Sequence, residues 1–227
     1  GDNRSAQVDH VGHSALIAAA RGAGVARFVY TSALGAREDH PIDFFRTKFE
    51  IEEVLRDSAM PFTILRPSSF MEQHVHEFNG RLLLDKGFVV LVGPSTKPRN
   101  FIAARDVARF AAKALAGDEL LGRTLEIGGP DNLSNREVAL RFQVRSHQGR
   151  IAHLPLTAAR AIAALVRPFH EGVARVLEIA LVPDEQWPEV FDGASALEAE
   201  FGIKLTTVDR FIDEKVRAWR RSRVGRR

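Results

Sequence analysis

A chain of 227 residues is enough for one large domain, or for a domain with a small appendage. Its 45% hydrophobic and 27% charged content is ordinary for a globular protein in water. With no cysteine it can form no disulfide, thiolate metal site or cysteine nucleophile, which fits a reducing compartment and a cytoplasmic location.

The formal charge of +3 is small but unevenly placed. Lys215, Arg217, Arg220, Arg221, Arg223, Arg226 and Arg227 crowd the last residues. They read as a solvated, frayed tail, so neither nucleic acid nor a membrane is expected as a partner. No apolar run approaches the roughly 18 residues of a membrane span. The polar start, Gly1-Asp2-Asn3-Arg4-Ser5, resembles neither a signal nor a transit peptide, and it lacks a methionine, so upstream sequence is expected to have been removed or left out.

In chain order, Val8, Val11, Ala15 and Ala18 recur at helical spacing, and Gly22-Ala23-Gly24 ends that helix. Val25 to Thr31 is a short, nearly continuous apolar run, as in a strand covered on both faces. Leu34 to Ile42 is a polar loop holding Pro41. Phe44 to Asp57 is a helix with Phe44, Lys48, Ile51 and Leu55 on one face. Thr63 to Arg66 is a second buried strand, closed by Pro67.

Phe70 to Asp85 reads as a helix ended by Gly87, Phe88 to Val92 as a strand, and Asn100 to Ala103 as another short strand. Asp106 to Ala116 is a helix with Asp106 as its expected cap. Thr124 to Ile127 is a strand, and Ser134-Asn135-Arg136-Glu137 has the spacing of a capping box. Beyond Gly149 the texture becomes helical: Leu156 to Leu165, Gly172 to Leu181, Ala194 to Phe201 ended by Gly202, and Val208 to Arg220, with a loop over Pro183 to Pro188. These patterns divide the chain into an α/β part over residues 1–149 and a helical part over 150–227.

Strand, helix, strand is the parallel crossover unit, and polar residues gather after both strands, where an open α/β sheet binds its ligand. The run Ala19-Ala20-Arg21-Gly22-Ala23-Gly24-Val25-Ala26-Arg27-Phe28-Val29-Tyr30-Thr31-Ser32 is followed by Lys48 with Glu52, Thr63-Ile64-Leu65-Arg66-Pro67, and Phe101-Ile102-Ala103-Ala104-Arg105-Asp106-Val107-Ala108. Together these resemble the atypical short-chain dehydrogenases, in particular the NmrA-like NAD(P)-binding proteins. The resemblance is good over residues 5 to 145 and loose beyond. It implies a Rossmann-like parallel sheet, N-terminally truncated, with a helical C-terminal region. Relatives of this kind open with a strand and a G-x-x-G-x-x-G loop. No such loop stands in these 227 residues, and the chain enters the family pattern just after the fourth strand. On the order of 70 to 80 residues, the first mononucleotide-binding half, would precede it.

By that resemblance the cofactor is NAD(P), with NADP(H) favoured, and the cofactor-binding residues are Thr31, Ser32, Lys48, Pro67, Ser68, Ser69 and Phe70. Ser32 would polarise a substrate oxygen and Lys48 would hold the nicotinamide ribose, which makes these two the catalytic candidates. Active short-chain dehydrogenases carry a tyrosine four residues before that lysine. Here the place holds Phe44, which has no proton to donate. Asp39 and His40 in the intervening loop are a substitute acid pair. Plainer readings stand beside these: Ser32 as a strand-end cap, Lys48 as a surface lysine paired with Glu52, Pro67 as a strand terminator, Phe70 and Met71 as core, Arg66 as an ion-pair or cap residue.

No metal is expected. His74 and His76 point apart on a helix, and His10 and His13 lack a third ligand. No G-x-S-x-G elbow supports a serine hydrolase. The expected activity is hydride transfer to or from a small carbonyl or quinone-like substrate. The alternatives are a non-catalytic NAD(P)-binding redox sensor and a nucleotide-sugar epimerase relative. The helical C-terminal part would cap the substrate or form a homo-oligomer surface.

Without a glycine-rich loop, nothing in these residues presents the row of backbone amides that holds a pyrophosphate. Calorimetric titration of the chain with NADPH is therefore expected to show no micromolar binding; a micromolar dissociation constant would overturn this.

Overall fold

A computed structural model describes residues 4–170 and 190–224, with side chains described from residue 10 to residue 223 within that range. The sequence-expected helix over Gly172 to Leu181 and the loop at Pro183 to Pro188 lie outside the described residues. The chain gathers into two compact units. The first comprises Gly1–Ser69, Ile102–Gly129 and Phe191–Leu205; the second comprises Phe70–Phe101, Pro130–Val190 and Thr206–Arg227.

The first unit opens with α1 (Arg4–Gly22), β1 (Phe28–Thr31), α2 (Asp43–Asp57) and β2 (Phe62–Pro67). Strand β1 runs parallel to β2, Phe28 opposite Phe62 and Thr31 opposite Leu65. β2 runs parallel to β6 (Thr124–Ile127), Ile64 opposite Thr124 and Pro67 opposite Ile127. The sheet order is β1-β2-β6. Side chains alternate across a strand, so Tyr30 and Ile64 share a face. That face packs with Ile17 and Ala20 of α1, Ile51 and Leu55 of α2, and Met60 in one apolar cluster. On the other face Thr63 donates its hydroxyl hydrogen to the Leu120 carbonyl at 2.8 Å.

The buried residues of α2 are Phe45, Thr47, Ile51, Glu52 and Leu55. This corrects the expected face: Phe44 is 51% exposed and its neighbour Phe45 faces inward. Helix α4 (Ala104–Ala116) has Ala103 at its N-cap with no side-chain cap. Asp106 lies buried in the first turn and pairs with Arg109 at 3.0 Å, so it is not the cap expected from sequence. Phe110 of α4 meets Phe201 edge-on at 5.6 Å.

In the second unit β4 (Phe88–Val92) and β8 (Arg150–Leu154) pair in parallel, Phe88 opposite Arg150 and Val92 opposite Leu154. Strand β8 falls where only helical texture was expected. Its alternation is broken by Arg150 and His153, which leaves too short an apolar signal. β5 (Arg99–Ile102) pairs antiparallel with β7 (Asn132–Leu133). The segment expected as one helix from Phe70 to Asp85 resolves into three elements. These are a two-residue strand β3 (Ser69–Phe70), a π-helix over Met71–Gly80, and α3 (Arg81–Lys86). Within the π-helix the Asn79 side-chain amide donates to the His74 carbonyl at 2.7 Å. Gly80 is required there, because a Cβ would stand 2.3 Å from Cζ of Phe142.

Phe142 belongs to α5 (Asn135–Ser146), whose capping box is complete: the Ser134 hydroxyl accepts from the Glu137 amide, and the Glu137 carboxylate accepts from the Ser134 amide at 2.8 Å. Helix α6 (Leu156–Val166) follows β8. In the first unit, α7 (Ala194–Phe201) ends at Gly202 with φ 66, as its sequence indicates. Helix α8 (Val208–Val224) continues through the basic stretch expected to fray. Arg220 donates to the Arg145 carbonyl at 2.7 Å, Arg223 lies over Trp219, and Asp209 and Asp213 pair with Arg141 and Arg145 of α5. No helix among the described residues is long and apolar enough to cross a membrane.

Burial, then the nearby Arg99 charge, pushes the pKa of His74 down to about 4 from 6.5. Between those values the unfolded chain holds a proton that the folded chain does not. Stability therefore rises with pH across the window and is lost as pH falls below about 6.5. His76 is shifted in the same direction, chiefly by burial. Urea unfolding at about pH 7.5 and about pH 4.5 should show a His74→Gln variant retaining on the order of 2 kcal/mol more of its neutral-pH stability than the parent. Equal acid losses in both would refute the assignment.

Candidate active site

The carboxyl ends of β1 and β2 bring together most of the residues singled out from sequence. The parallel register places Thr31 beside Leu65, and the ladder runs on past the strand ends. The Ser32 amide donates to the Leu65 carbonyl at 2.7 Å, and the Leu34 amide to the Pro67 carbonyl at 2.8 Å. On the far side of β2 the Ser68 amide donates to the Ile127 carbonyl at 2.9 Å. Ser32, Pro67 and Ser68 are thus buried, backbone-anchored residues of one sheet end, while Thr31 is exposed and Ser69 half-buried. Phe70 is the first residue of the second unit.

Lys48 projects from α2 to the same end. Its Nζ lies 3.4 Å from the Thr31 carbonyl oxygen, 5.2 Å from the Tyr30 ring centre and 5.7 Å from that of Phe44. An ammonium near two aromatic rings is held by the negative potential of the ring faces. Lys48 does not pair with Glu52. Glu52 is fully buried, and its carboxylate is taken by other groups.

Those groups form the main polar feature of the first unit. Arg66 of β2 grips Glu52 bidentately, Nε to Oε1 at 2.9 Å and Nη2 to Oε2 at 2.7 Å. Arg56, one turn along α2, donates to Oε2 at 2.8 Å. The Ser32 hydroxyl donates to Oε1 at 2.5 Å. The Glu52 hydrogen bonds hold the Arg66 guanidinium pKa above its usual value. Arg66 is therefore an ion-pair residue and not a cap, and it also reaches Glu126 at 3.6 Å. A serine hydroxyl has one proton and two lone pairs. With the proton on Glu52, Ser32 offers only lone pairs to a ligand; polarising a substrate oxygen would require that proton to leave Glu52.

The substitute acid pair separates. Asp39 is exposed and pairs with Arg37 at 2.9 Å. His40 is fully buried against Phe45, ring centres 4.2 Å apart, and its Nδ1 accepts from the Ile42 amide at 3.0 Å. Burial first, then the charges of Arg37 and Arg46, holds His40 below its ordinary pKa. It is neutral near pH 7, with its proton on Nε2.

The sequence reading assigned Glu52 no central role. The available signal was a pair of misfits: a glutamate between Ile51 and Leu55 on a core-facing helix, and an arginine inside the apolar strand Phe62-Thr63-Ile64-Leu65. Two charges placed where neither is tolerated alone are expected to meet.

Removing one partner of such a pair strands the other in low dielectric. Glu52→Ala should cost about 3 to 5 kcal/mol in urea unfolding, against about 1 kcal/mol for Ser32→Ala. A Glu52→Ala loss no greater than that of Ser32→Ala would show that the network does not hold the sheet end.

Among the described residues no group of three His, Asp or Glu side chains is placed to hold a metal ion. Among curated proteins, subunit 9 of the NADH dehydrogenase (ubiquinone) 1 alpha subcomplex of Arabidopsis thaliana mitochondria is 29% identical over 159 residues, 68% of this chain and 40% of that protein. The NAD(P)H azoreductase of Xenophilus azovorans is 32% identical over 127 residues, 56% of this chain and 43% of that one. The chain thus spans about half the length of the curated relatives it matches, or less. Among solved structures, the NADPH complex of the Escherichia coli quinone oxidoreductase QOR2 superposes with a TM-score of 0.71 at 23% identity, over 89% of this chain and 70% of that one. The NADP(H) complex of Citrobacter sp. triphenylmethane reductase superposes at 0.71 and 21% identity, over 95% and 74%. Both share the Rossmann-type α/β fold seen here in the parallel sheet. The NmrA-like family pattern matches residues 6–169, and the chain belongs to that family.

Proposed function

We infer that the β1–β2 sheet end is the nicotinamide side of an NAD(P)H site in an oxidoreductase that passes hydride to a small quinone-like or carbonyl substrate. The observation that carries this reading is the position of Lys48. Its ammonium lies at the carboxyl end of a parallel pair, beside the Thr31 carbonyl and two aromatic rings. A ribose hydroxyl laid there would meet a cation already placed at the sheet end. Pro67, Ser68 and Ser69 would border the nicotinamide ring. The lone pairs of Ser32 suit a donor such as the nicotinamide carboxamide N–H. Bound NADPH would supply the hydride. NADP(H) is favoured because the E. coli and Citrobacter relatives were crystallised with it.

Phe44 narrows the substrate. A simple carbonyl reduced by hydride leaves a basic alkoxide that needs an acid at once, and Phe44 is no acid. A quinone leaves a delocalised phenolate that can wait for a proton from water. The azoreductase and the quinone and triphenylmethane reductases all act on conjugated acceptors by name, which agrees with this preference. The same phenylalanine supports a second reading, an NAD(P)H sensor without turnover.

Saturation-transfer NMR with millimolar NADPH tests the site. Enhancements should be largest on the nicotinamide and its ribose, reduced nicotinamide mononucleotide should compete, and Lys48→Ala should weaken binding about threefold to tenfold. Strongest enhancement on the adenine, or indifference to Lys48→Ala, would remove Lys48 from the site. Menadione-dependent NADPH oxidation then separates the enzyme from the sensor.

A further inference from the structure

The second unit contains a parallel strand pair of its own, and a groove lies at its carboxyl end. β4 ends at Val92 and β8 at Leu154, and the residues that follow them, Gly93, Pro94 and Thr96 on one side and Pro155, Leu156 and Thr157 on the other, line a space of about 600 Å³ with Arg136 and His153. The space is largely open to solvent, and it lies at the carboxyl end of a parallel pair, where ligand sites form.

The walls are fixed by hydrogen bonds. The Gly93 amide donates to the Leu154 carbonyl at 2.8 Å, which closes the two strand ends together. The Ser95 hydroxyl donates to the Val92 carbonyl at 2.9 Å, and the Ser95 carbonyl accepts from the Arg136 amide at 3.1 Å, tying the loop to the first turn of α5. Gly93 sits at φ 65, and a Cβ there would stand 3.0 Å from Leu156 Cδ2, so a side chain at this position would narrow the groove.

The polar groups have a definite chemistry. His153 Nδ1 lies 2.8 Å from the Gly93 carbonyl oxygen, which only accepts, so Nδ1 carries the proton. In the neutral ring this leaves Nε2 as the nitrogen open to a ligand. The Arg136 guanidinium makes no ion pair with any described residue; the neighbouring carboxylate, Glu137, is engaged by Ser134 in the capping box. An arginine fork with no internal carboxylate, beside two threonine hydroxyls and the apolar surfaces of Pro94, Leu154 and Leu156, is matched to a small molecule with an anionic head and an apolar body.

We propose that this groove binds a small amphipathic anion, its carboxylate or phosphate gripped by Arg136, its polar edge met by His153 and Thr157, and its apolar body laid on Leu154 and Leu156. The site lies wholly within the second unit, goes beyond the nicotinamide reading and does not depend on it.

The full chain, free of cofactor, is titrated with phenyl phosphate, with benzoate and with uncharged benzyl alcohol while amide and methyl resonances are followed. At least one anion should shift Thr96, His153 and Thr157 saturably, the alcohol should not, and Arg136→Gln should weaken that anion about tenfold or more. The tighter of the two anions identifies the head group as phosphate or carboxylate. The exposed Arg136 side chain makes no bond to any described residue, so the variant is expected to unfold at the parent's urea midpoint. Unsaturable shifts with both anions, equal binding of the alcohol, or unchanged affinity in Arg136→Gln would each overturn the proposal.

Discussion

The Glu52 carboxylate is the constraint on which the first unit turns. It sits on a helix at a fully buried position, among Ile51, Leu55 and the underside of the sheet. A bare carboxylate there would be driven to neutrality or to solvent. It stays because Arg66, Arg56 and Ser32 together occupy its lone pairs. Those partners come from β2, from α2 itself and from the residue after β1. One group therefore fixes the phase of the helix, the end of one strand and the rotamer of a serine on the next.

The position of Lys48 follows from that phase. Residues four apart on a helix differ by about 40° around the axis, so the side chain one turn before Glu52 must leave the helix toward the same sheet. Glu52 is drawn under the sheet by Arg66, and Lys48 emerges at its rim, where the Thr31 carbonyl and two aromatic rings receive it. A rotation of α2 that brought Phe44 into the core in place of Phe45 would carry Glu52 and Lys48 away from these partners. The cation at the candidate site and the buried ion pair are thus two consequences of one helix orientation.

This explains what could be read from sequence and what could not. The crossover of β1, α2 and β2 was legible because β-branched and aromatic runs alternate with a helical segment between turn residues. The ends of α5 and α7 were legible because a capping box and a C-terminal glycine act within four residues of themselves. The phase of α2 was not. Phe44 and Phe45 are equally apolar, and a reading by hydrophobicity excludes Glu52 from the core, although the core is where its partners are. The π-helix was hidden for a related reason: its last residue, Gly80, packs against Phe142, far away in sequence. Ser32, Pro67 and Ser68 were placed together because strand ends in a parallel pair are adjacent by construction; the direction of the Ser32 proton depends on a carboxylate twenty residues away.

The two parallel pairs, β1 with β2 and β4 with β8, each present a cation at their carboxyl ends, but the cations differ in kind. Lys48 is a point charge already partly satisfied by a carbonyl and by ring faces, which lowers its appetite for a full counter-charge and suits it to neutral hydroxyl groups. Arg136 is a planar fork with no counter-charge among the described residues, which suits it to a bidentate anion.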